Sequence, residues 1–433
     1  MLNDKKRRVI AFICGVISVS LLCSCGSAKK KTESTEREPF ETTKNSMFSV
    51  ESETVISSDT SYDEEIFAEE TAAENISTDS ILSDSAISIP AISDEPVTLD
   101  AAELSTYSIG RTLLKDDVMY MNHTCSGFRF NFHGSSLKAE FVSSAEYCYD
   151  DIHRAWIAVY LGSSTEPYKR FPLDSELTEF TILESDEPIE ADITIVKLTE
   201  EQFGTAGVKN LQLGANDVIQ RVPDSVRYIE FFGDSITAGY GNEGELSHGF
   251  DTSEENGYLT YASIAARTLG ADYSMICVSG MGLTASRTCD FVAGDIYPKT
   301  DAFISDEAYS FARQPQLIVV NLGANDSYYI NKDSSYYEIY ESRYYDLLKE
   351  IRSKNPDSVI LCCICDYWKS RMPQIESVIE KLSAETDDSR IYSMILPYVK
   401  NDEDYGSDAH PKIKVQYEIA DALTAEIEKL GIF

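Results

Sequence analysis

The sequence predicts a three-layer α/β/α sandwich built on a parallel sheet, preceded by a small antiparallel β-sandwich of the jelly-roll kind. From about Val226 to the C-terminus apolar strands alternate with helical stretches, the rhythm of a parallel sheet covered by helices on both faces. Between about Leu99 and Pro223 the runs are short, alternate apolar with polar, and are separated in several places by turn-like Gly and Ser, with no long amphipathic helix among them. The length of 433 residues also exceeds one ordinary domain, which leaves room for two folded parts and extensions.

Taken in order, Lys5, Lys6, Arg7 and Arg8 precede an apolar run from Val9 to Leu22, long enough for the core of an export signal and short for a membrane-spanning helix. The run ends in Leu22-Cys23-Ser24-Cys25-Gly26, which resembles a bacterial lipobox. That resemblance implies a lipoprotein signal peptide over 1–24, lipid attachment at Cys25, and an extracytoplasmic chain anchored to the bacterial membrane. From Lys29 to Thr98 the composition is Ser, Thr, Glu and Asp with no sustained period, so 25–98 reads as a disordered, self-repelling acidic stalk.

The β-sandwich is placed at 99–223. Phe128, Phe130 and Phe132 share one face, followed by runs at Leu137–Phe141, Ala155–Leu161, Glu179–Leu183 and Ala191–Leu198. The catalytic domain is placed at 226–433. Its strands are Val226–Phe232, Tyr273–Val278, Leu317–Leu322, Ser358–Cys365 and Ile391–Leu396, and its helices Tyr258–Leu269, Tyr336–Lys354, Gln374–Ala384 and Lys412–Leu430. Ligands of such sheets sit beyond the carboxyl ends of the strands, so chemistry is expected just after each one.

Charge narrows the partners. With 37 basic and 73 acidic residues the formal charge is −36, which repels nucleic acid and disfavours an acidic polysaccharide unless a local basic patch overrides it. Beyond the signal lie Cys125, Cys148, Cys277, Cys289, Cys362, Cys363 and Cys365. Their number is odd and several sit in apolar runs, so no disulfide framework is expected, Cys125 with Cys148 being the one pair worth checking. Cys362, Cys363 and Cys365 lack a second ligand cluster, which argues against zinc.

Three segments fall at strand ends: Gly233-Asp234-Ser235-Ile236-Thr237, Ser279-Gly280-Met281-Gly282 and Gly323-Ala324-Asn325-Asp326. The fourth, Asp408-Ala409-His410-Pro411, precedes the final helix. They offer an exposed hydroxyl, a glycine that lets an N–H approach an oxyanion, a side-chain amide donor, and a base with a carboxylate nearby. A serine hydroxyl needs a base to take its proton, and the tetrahedral intermediate needs fixed donors.

This ordered set resembles the SGNH, or GDSL, hydrolase superfamily over about 200 residues. The resemblance implies an SGNH-type catalytic domain with Ser235 as nucleophile, His410 as general base and acid, and Gly280, Asn325 and the Ser235 N–H as the oxyanion hole. The stretch Arg227 to Gly241 with Glu243-Gly244, and the segment Glu255 to Tyr261, look more narrowly like carbohydrate esterase family 2. So does the region from Gly127 through His133-Gly134 to Thr199-Glu200. The implied activity is removal of O-acetyl groups from plant cell-wall polysaccharide, xylan or glucomannan, with no cofactor. The expected partners are acetylated polysaccharide or oligosaccharide and, through the anchor, the membrane, and the chain is expected to be a monomer. Two departures qualify the likeness. Ser407 stands where a triad Asp is common, leaving open whether the Asp408 carboxylate or a backbone carbonyl orients His410. Ala409 stands where an aromatic often precedes the His, which implies a smaller wall to the sugar site.

Trp368, after a strand, is a candidate to stack on a sugar face. Trp156 reads as core, His123, His133 and His153 as structural or surface residues, and His248 as a loop residue near the nucleophile turn. Asp234 and Asp326 read as turn-holding residues. The alternatives kept open are an esterase acting on cell-envelope glycans or small acyl esters, and a glycan-binding surface lipoprotein with residual hydrolysis.

Overall fold

A computed structural model describes residues 94–433. The signal segment, Cys25 and nearly all of the expected stalk lie outside the described residues. Regular structure begins at Val97, just inside the expected stalk, whose end was placed at Thr98. Val97 and Leu99 alternate inward onto the β core, and β1 (Val97–Asp100) pairs antiparallel with Leu213 to Asn210. Asp100 then caps the short helix α1 (Ala101–Ser105) through a reciprocal capping box with Glu103.

The remaining strands of the β-rich part are β2 (Ser108–Ile109), β3 (Leu113–Lys115), β4 (Val118–Tyr120), β5 (Gly127–Val142), β6 (Trp156–Leu161), β7 (Lys169–Pro172), β8 (Leu177–Lys197), β9 (Gly207–Leu213) and β10 (Val218–Arg221). They form one antiparallel sheet of order β3-β4-β9-β5-β8-β6-β7, with β1, β2 and β10 on its flanks. The sandwich is therefore a single sheet that curls. β5 and β8 pair from Gly127↔Val196 to Val142↔Leu177, with register shifts at Gly134/Ser136 and Leu137/Lys138. Such irregularities bend a strand. The first half of β5 then pairs β10 and its second half β9. Phe128, Phe130 and Phe132 fill the core between the layers with Leu137, Ile157 and Val208.

In the α/β part, β11 (Tyr228–Gly233), β12 (Asp272–Cys277), β13 (Leu317–Asn321), β14 (Val359–Cys365) and β15 (Ile391–Leu396) make an all-parallel sheet of order β12-β11-β13-β14-β15. Successive residues face opposite layers, as strand geometry requires. Phe231, Val319, Leu361 and Cys363 pack with α3 (Tyr261–Thr268) and α8 (Ile413–Leu430). Phe232, Val320, Ile360 and Cys362 pack against α4 (Ala293–Ile296), α6 (Tyr336–Lys354) and α7 (Met372–Thr386). The connection after β11 forms α2 (Ser235–Ala238), and the one after β13 forms α5 (Ala324–Lys332), which the sequence reading did not place. Among the described residues no helix is long and apolar enough to cross a membrane, and the seven cysteines carry free thiols, Cys125 and Cys148 included.

Both parts belong to one compact unit, joined by buried polar groups as well as by apolar contact. Arg111, before β3, is 1% exposed. It donates to the carbonyls of Tyr297 and Lys299 at 2.7 and 2.8 Å and to Glu230 of β11 at 3.1 Å, with the Tyr309 ring 3.9 Å from its guanidinium carbon. Asn122 donates to Asp301 at 2.6 Å, and His123 Nε2 to the Thr300 carbonyl at 2.8 Å. A buried charge persists only when paired and hydrogen-bonded, and Arg111 meets both conditions at the junction.

Candidate active site

Gly233, last residue of β11, lies opposite Cys277 of β12 and Asn321 of β13. The segments after these three strands therefore converge on one edge of the sheet. Asp234 caps α2 by accepting the Ile236 N–H at 3.1 Å, and Gly239 (φ 87°) ends this single turn in the left-handed conformation. Ser235 thus starts a helix at the strand tip, 7% exposed. Its hydroxyl is 2.9 Å from His410 Nε2.

The other ring nitrogen of His410 settles the open question about Asp408. Nδ1 lies 3.1 Å from the Asp408 backbone carbonyl, so it carries the proton and donates. Of the two groups left open, the Asp408 carboxylate is not the hydrogen-bond partner of this nitrogen. Asp408 and Ala409 are both left-handed (φ 50° and 60°), and this turn brings the carbonyl to the ring while the Asp408 side chain stays exposed. The turn is held both from outside and across its own base. Ser407 N–H donates to Gly241 at 3.0 Å, Asp408 N–H to the His248 carbonyl at 3.2 Å, and Gly406 N–H to the His410 carbonyl at 2.7 Å, while the Ser407 hydroxyl donates to Glu254. His248 serves here through its backbone, its ring pairing with Glu254 at 2.7 Å. Burial pulls the His410 pKa below its ordinary value, the Asp408 charge opposing in part.

Asn325, second residue of α5, faces the nucleophile turn. Its amide nitrogen donates to Asp234 Oδ2 at 3.3 Å and to the Met281 carbonyl at 3.0 Å. Burial pushes the Asp234 carboxyl up to about 7. Asp326, fully buried, accepts the N–H groups of Leu283 and Thr284 at 3.0 and 2.8 Å and so ties the loop after Gly280 to the start of α5. Gly280 itself has φ 75°, and a Cβ there would come within 2.6 Å of the Thr288 hydroxyl. Among the described residues the amides of Ser235 and Gly280 have no hydrogen-bond acceptor. Trp368 lies past β14, partly packed in the core, with its ring edge-on to Tyr398 at 5.0 Å and Tyr367 at 4.9 Å.

Several residues beside the site escaped the sequence reading. The Tyr240 ring lies 4.4 Å from the His410 ring and stacks on Phe250 at 3.6 Å, and Phe250 meets Phe203 of the β-rich part at 5.0 Å. Tyr240 stood within the motif stretch without a role, and no spacing ties it to Phe250. Glu200 accepts the Ser279 N–H and Gln202 donates to the Ser279 carbonyl at 3.0 Å. Burial holds Glu200 up at about 7, and Lys197 behind it down at about 8. Among the described residues no group of three or more His, Cys, Asp or Glu is placed to hold a metal ion.

A hydroxyl paired with an oriented imidazole, beside two free amides and a side-chain amide at the carboxyl edge of a parallel sheet, defines an SGNH-type serine hydrolase site. Residues 231–412 match the GDSL-like Lipase/Acylhydrolase family. It is 32% identical over 248 residues to the cellulase/esterase CelE of Acetivibrio thermocellus, the match covering 55% of this chain and 30% of that protein. It is 29% identical over 152 residues to an acetylxylan esterase/glucomannan deacetylase of Cellvibrio japonicus, covering 33% and 42%. The chain thus spans less than half the length of these two curated relatives. A solved family two carbohydrate esterase from Clostridium thermocellum, in complex with cellohexaose, superposes with a TM-score of 0.67 at 26% identity, covering 78% of this chain and all of that one. Solved structures described as family two carbohydrate esterases, from Clostridium thermocellum and Cellvibrio japonicus, are among those this chain matches.

Proposed function

We propose that this chain is a carbohydrate O-acetyl esterase that deacetylates plant cell-wall polysaccharide, xylan or glucomannan, through an acyl-enzyme. The observation that carries the reading is the Ser235–His410–Asp408 carbonyl relay, with bonds of 2.9 and 3.1 Å. Ser235 Oγ attacks the acetyl carbonyl carbon as its proton passes to His410 Nε2, while Nδ1–H stays on the Asp408 carbonyl. The oxyanion takes the N–H groups of Ser235 and Gly280 and the Asn325 amide, which gives up its longer bond, the 3.3 Å contact to Asp234. His410 then protonates the departing sugar oxygen. Water, deprotonated by the same nitrogen, cleaves the ester on Ser235 and releases acetate. The acetylxylan esterase and glucomannan deacetylase names of the relatives support the polysaccharide class.

The same proposal includes export and lipid anchoring at Cys25, which place the enzyme outside the cytoplasm, and a sugar contact for Trp368. The test is acetate release from acetylated xylan, acetylated glucomannan and 4-nitrophenyl acetate by wild type, Ser235→Ala and His410→Ala. Release from a polysaccharide that both substitutions abolish is the expected result. A folded wild type that releases acetate from none of the three would overturn the reading.

A further inference from the structure

The loop after β8 crosses the junction between the two parts and grips the residue before Gly280. Glu200 accepts the Ser279 N–H, and Gln202 Nε2 donates both to the Ser279 carbonyl and to Glu200 Oε2, each at 3.0 Å. The Thr288 hydroxyl donates to the same carbonyl from within the α/β part. All this lies out of solvent, Glu200, Gln202 and Ser279 being 0%, 8% and 3% exposed. The loop is itself pinned. Lys197 Nζ donates to the carbonyls of Asn122, Thr199 and Glu200 at 3.0, 3.1 and 2.5 Å, and the Glu200 N–H donates to Glu255 at 2.9 Å.

The Ser279 carbonyl and the Gly280 N–H belong to one trans peptide plane and point in opposite directions. Anchoring the carbonyl on the β-rich part therefore aims the N–H the other way. Two hydrogen bonds onto that carbonyl also polarise the peptide and strengthen its N–H as a donor. We infer that Gln202, with Glu200, is a positioning residue for the oxyanion hole: the β-rich part sets the direction and strength of the Gly280 N–H by holding the Ser279 peptide. The inference rests on the esterase reading above. An oxyanion donor gains only as charge develops, so its misplacement shows in kcat and leaves KM in place.

The experiment uses the full chain, with Gln202→Met, which keeps the side-chain length and loses the donor, and Thr288→Val, which removes the second donor from the other side. Each is assayed on 4-nitrophenyl acetate, with inhibition by an alkylboronic acid, which forms a tetrahedral adduct on serine, read in parallel. Gln202→Met is expected to lower kcat by about 10- to 100-fold with KM unchanged. The boronate inhibition constant is expected to rise by the same factor, and Thr288→Val to move both quantities the same way by less. Unchanged kcat in folded Gln202→Met, or a raised KM at constant kcat, overturns the inference. If Gln202→Met does not fold, unchanged kcat in Thr288→Val overturns it. A wild type without ester hydrolysis fails the esterase reading, a result distinct from an active wild type that is indifferent to these changes.

Discussion

Replacing Asp408 by Asn removes a charge beside His410 and leaves in place the backbone that orients it. Asn adopts the left-handed conformation found at this position (φ 50°) as Asp does, so the turn survives. The bond that fixes the ring, 3.1 Å from Nδ1 to the carbonyl, does not involve the carboxylate. What is lost is Coulombic: burial lowers the His410 pKa, and the Asp408 charge offsets part of that lowering. The side chain is exposed, so the attraction is screened. Two unit charges about 4 Å apart in water attract by about 1 kcal/mol, and about 1.4 kcal/mol makes one pKa unit. The His410 pKa therefore falls by less than about one unit in Asp408→Asn. With roughly half of the basicity change felt in the transition state, kcat on 4-nitrophenyl acetate changes by no more than about threefold. The rising limb of the pH–rate profile moves to lower pH. Steady-state rates and pH profiles of the two proteins check this. A loss near 10⁴, of the order found when a carboxylate that orients a catalytic His becomes its amide, would refute the carbonyl as the orienting group.

Three further expectations follow from the same geometry. His410 acts as a neutral base with a lowered pKa, so kcat/KM of the wild type rises with pH through one ionisation below the ordinary imidazole value of about 6.5; a limb centred above that value in a pH–rate series would contradict the burial described. Arg111→Met strands the buried Glu230 carboxylate at the junction and is expected to cost about 3–5 kcal/mol in urea unfolding, most of it recovered in Arg111→Met/Glu230→Leu. Unaltered stability in the single variant would show the pair to be dispensable. Gly406→Ala places a Cβ 2.1 Å from the Gly241 carbonyl oxygen, so the turn bearing His410 must move. A displacement of about 1 Å there lowers kcat by about 100-fold, and wild-type turnover in this variant would mean that the turn yields without consequence.

The elements that sequence reveals best here are those whose own residues carry the whole signal. Leu317–Asn321 and Ile391–Leu396 are short apolar runs flanked by polar ones, and the helix Tyr336–Lys354 repeats its buried positions Tyr340, Tyr344, Leu347, Leu348 and Ile351 at helical spacing. Helix Ala324–Lys332 escaped because Asn, Asp, Ser and Tyr dominate it and only Asp326, Ser327 and Ile330 are buried. Strand Leu177–Lys197 read as two because Glu184 to Pro188 break the alternation in its middle, although the backbone pairing runs on past them.

Ser235 and His410 were legible because four segments, three at strand ends and one before the final helix, together supply a hydroxyl, oxyanion donors and a base. The orienting group was not legible, since a backbone carbonyl is present at every residue and only the left-handed turn at Asp408 and Ala409 selects this one. Gln202 was invisible for another reason: its partner Ser279 is 77 positions away, and a buried amide has no pattern along the chain.

The junction has a consequence for how such a chain can be inherited. Residues 222–227 look in sequence like a seam at which one part can be traded for another. Recombination there would separate Arg111 from Glu230 and Gln202 from Ser279, leaving one product with a stranded Arg111 and the other with a stranded Glu230 and an unsupported loop at Ser279. A foreign β-rich partner would have to supply both contacts at once. A unit that keeps both contacts therefore runs from the first strand to the last helix, and its two halves are expected to diversify in step.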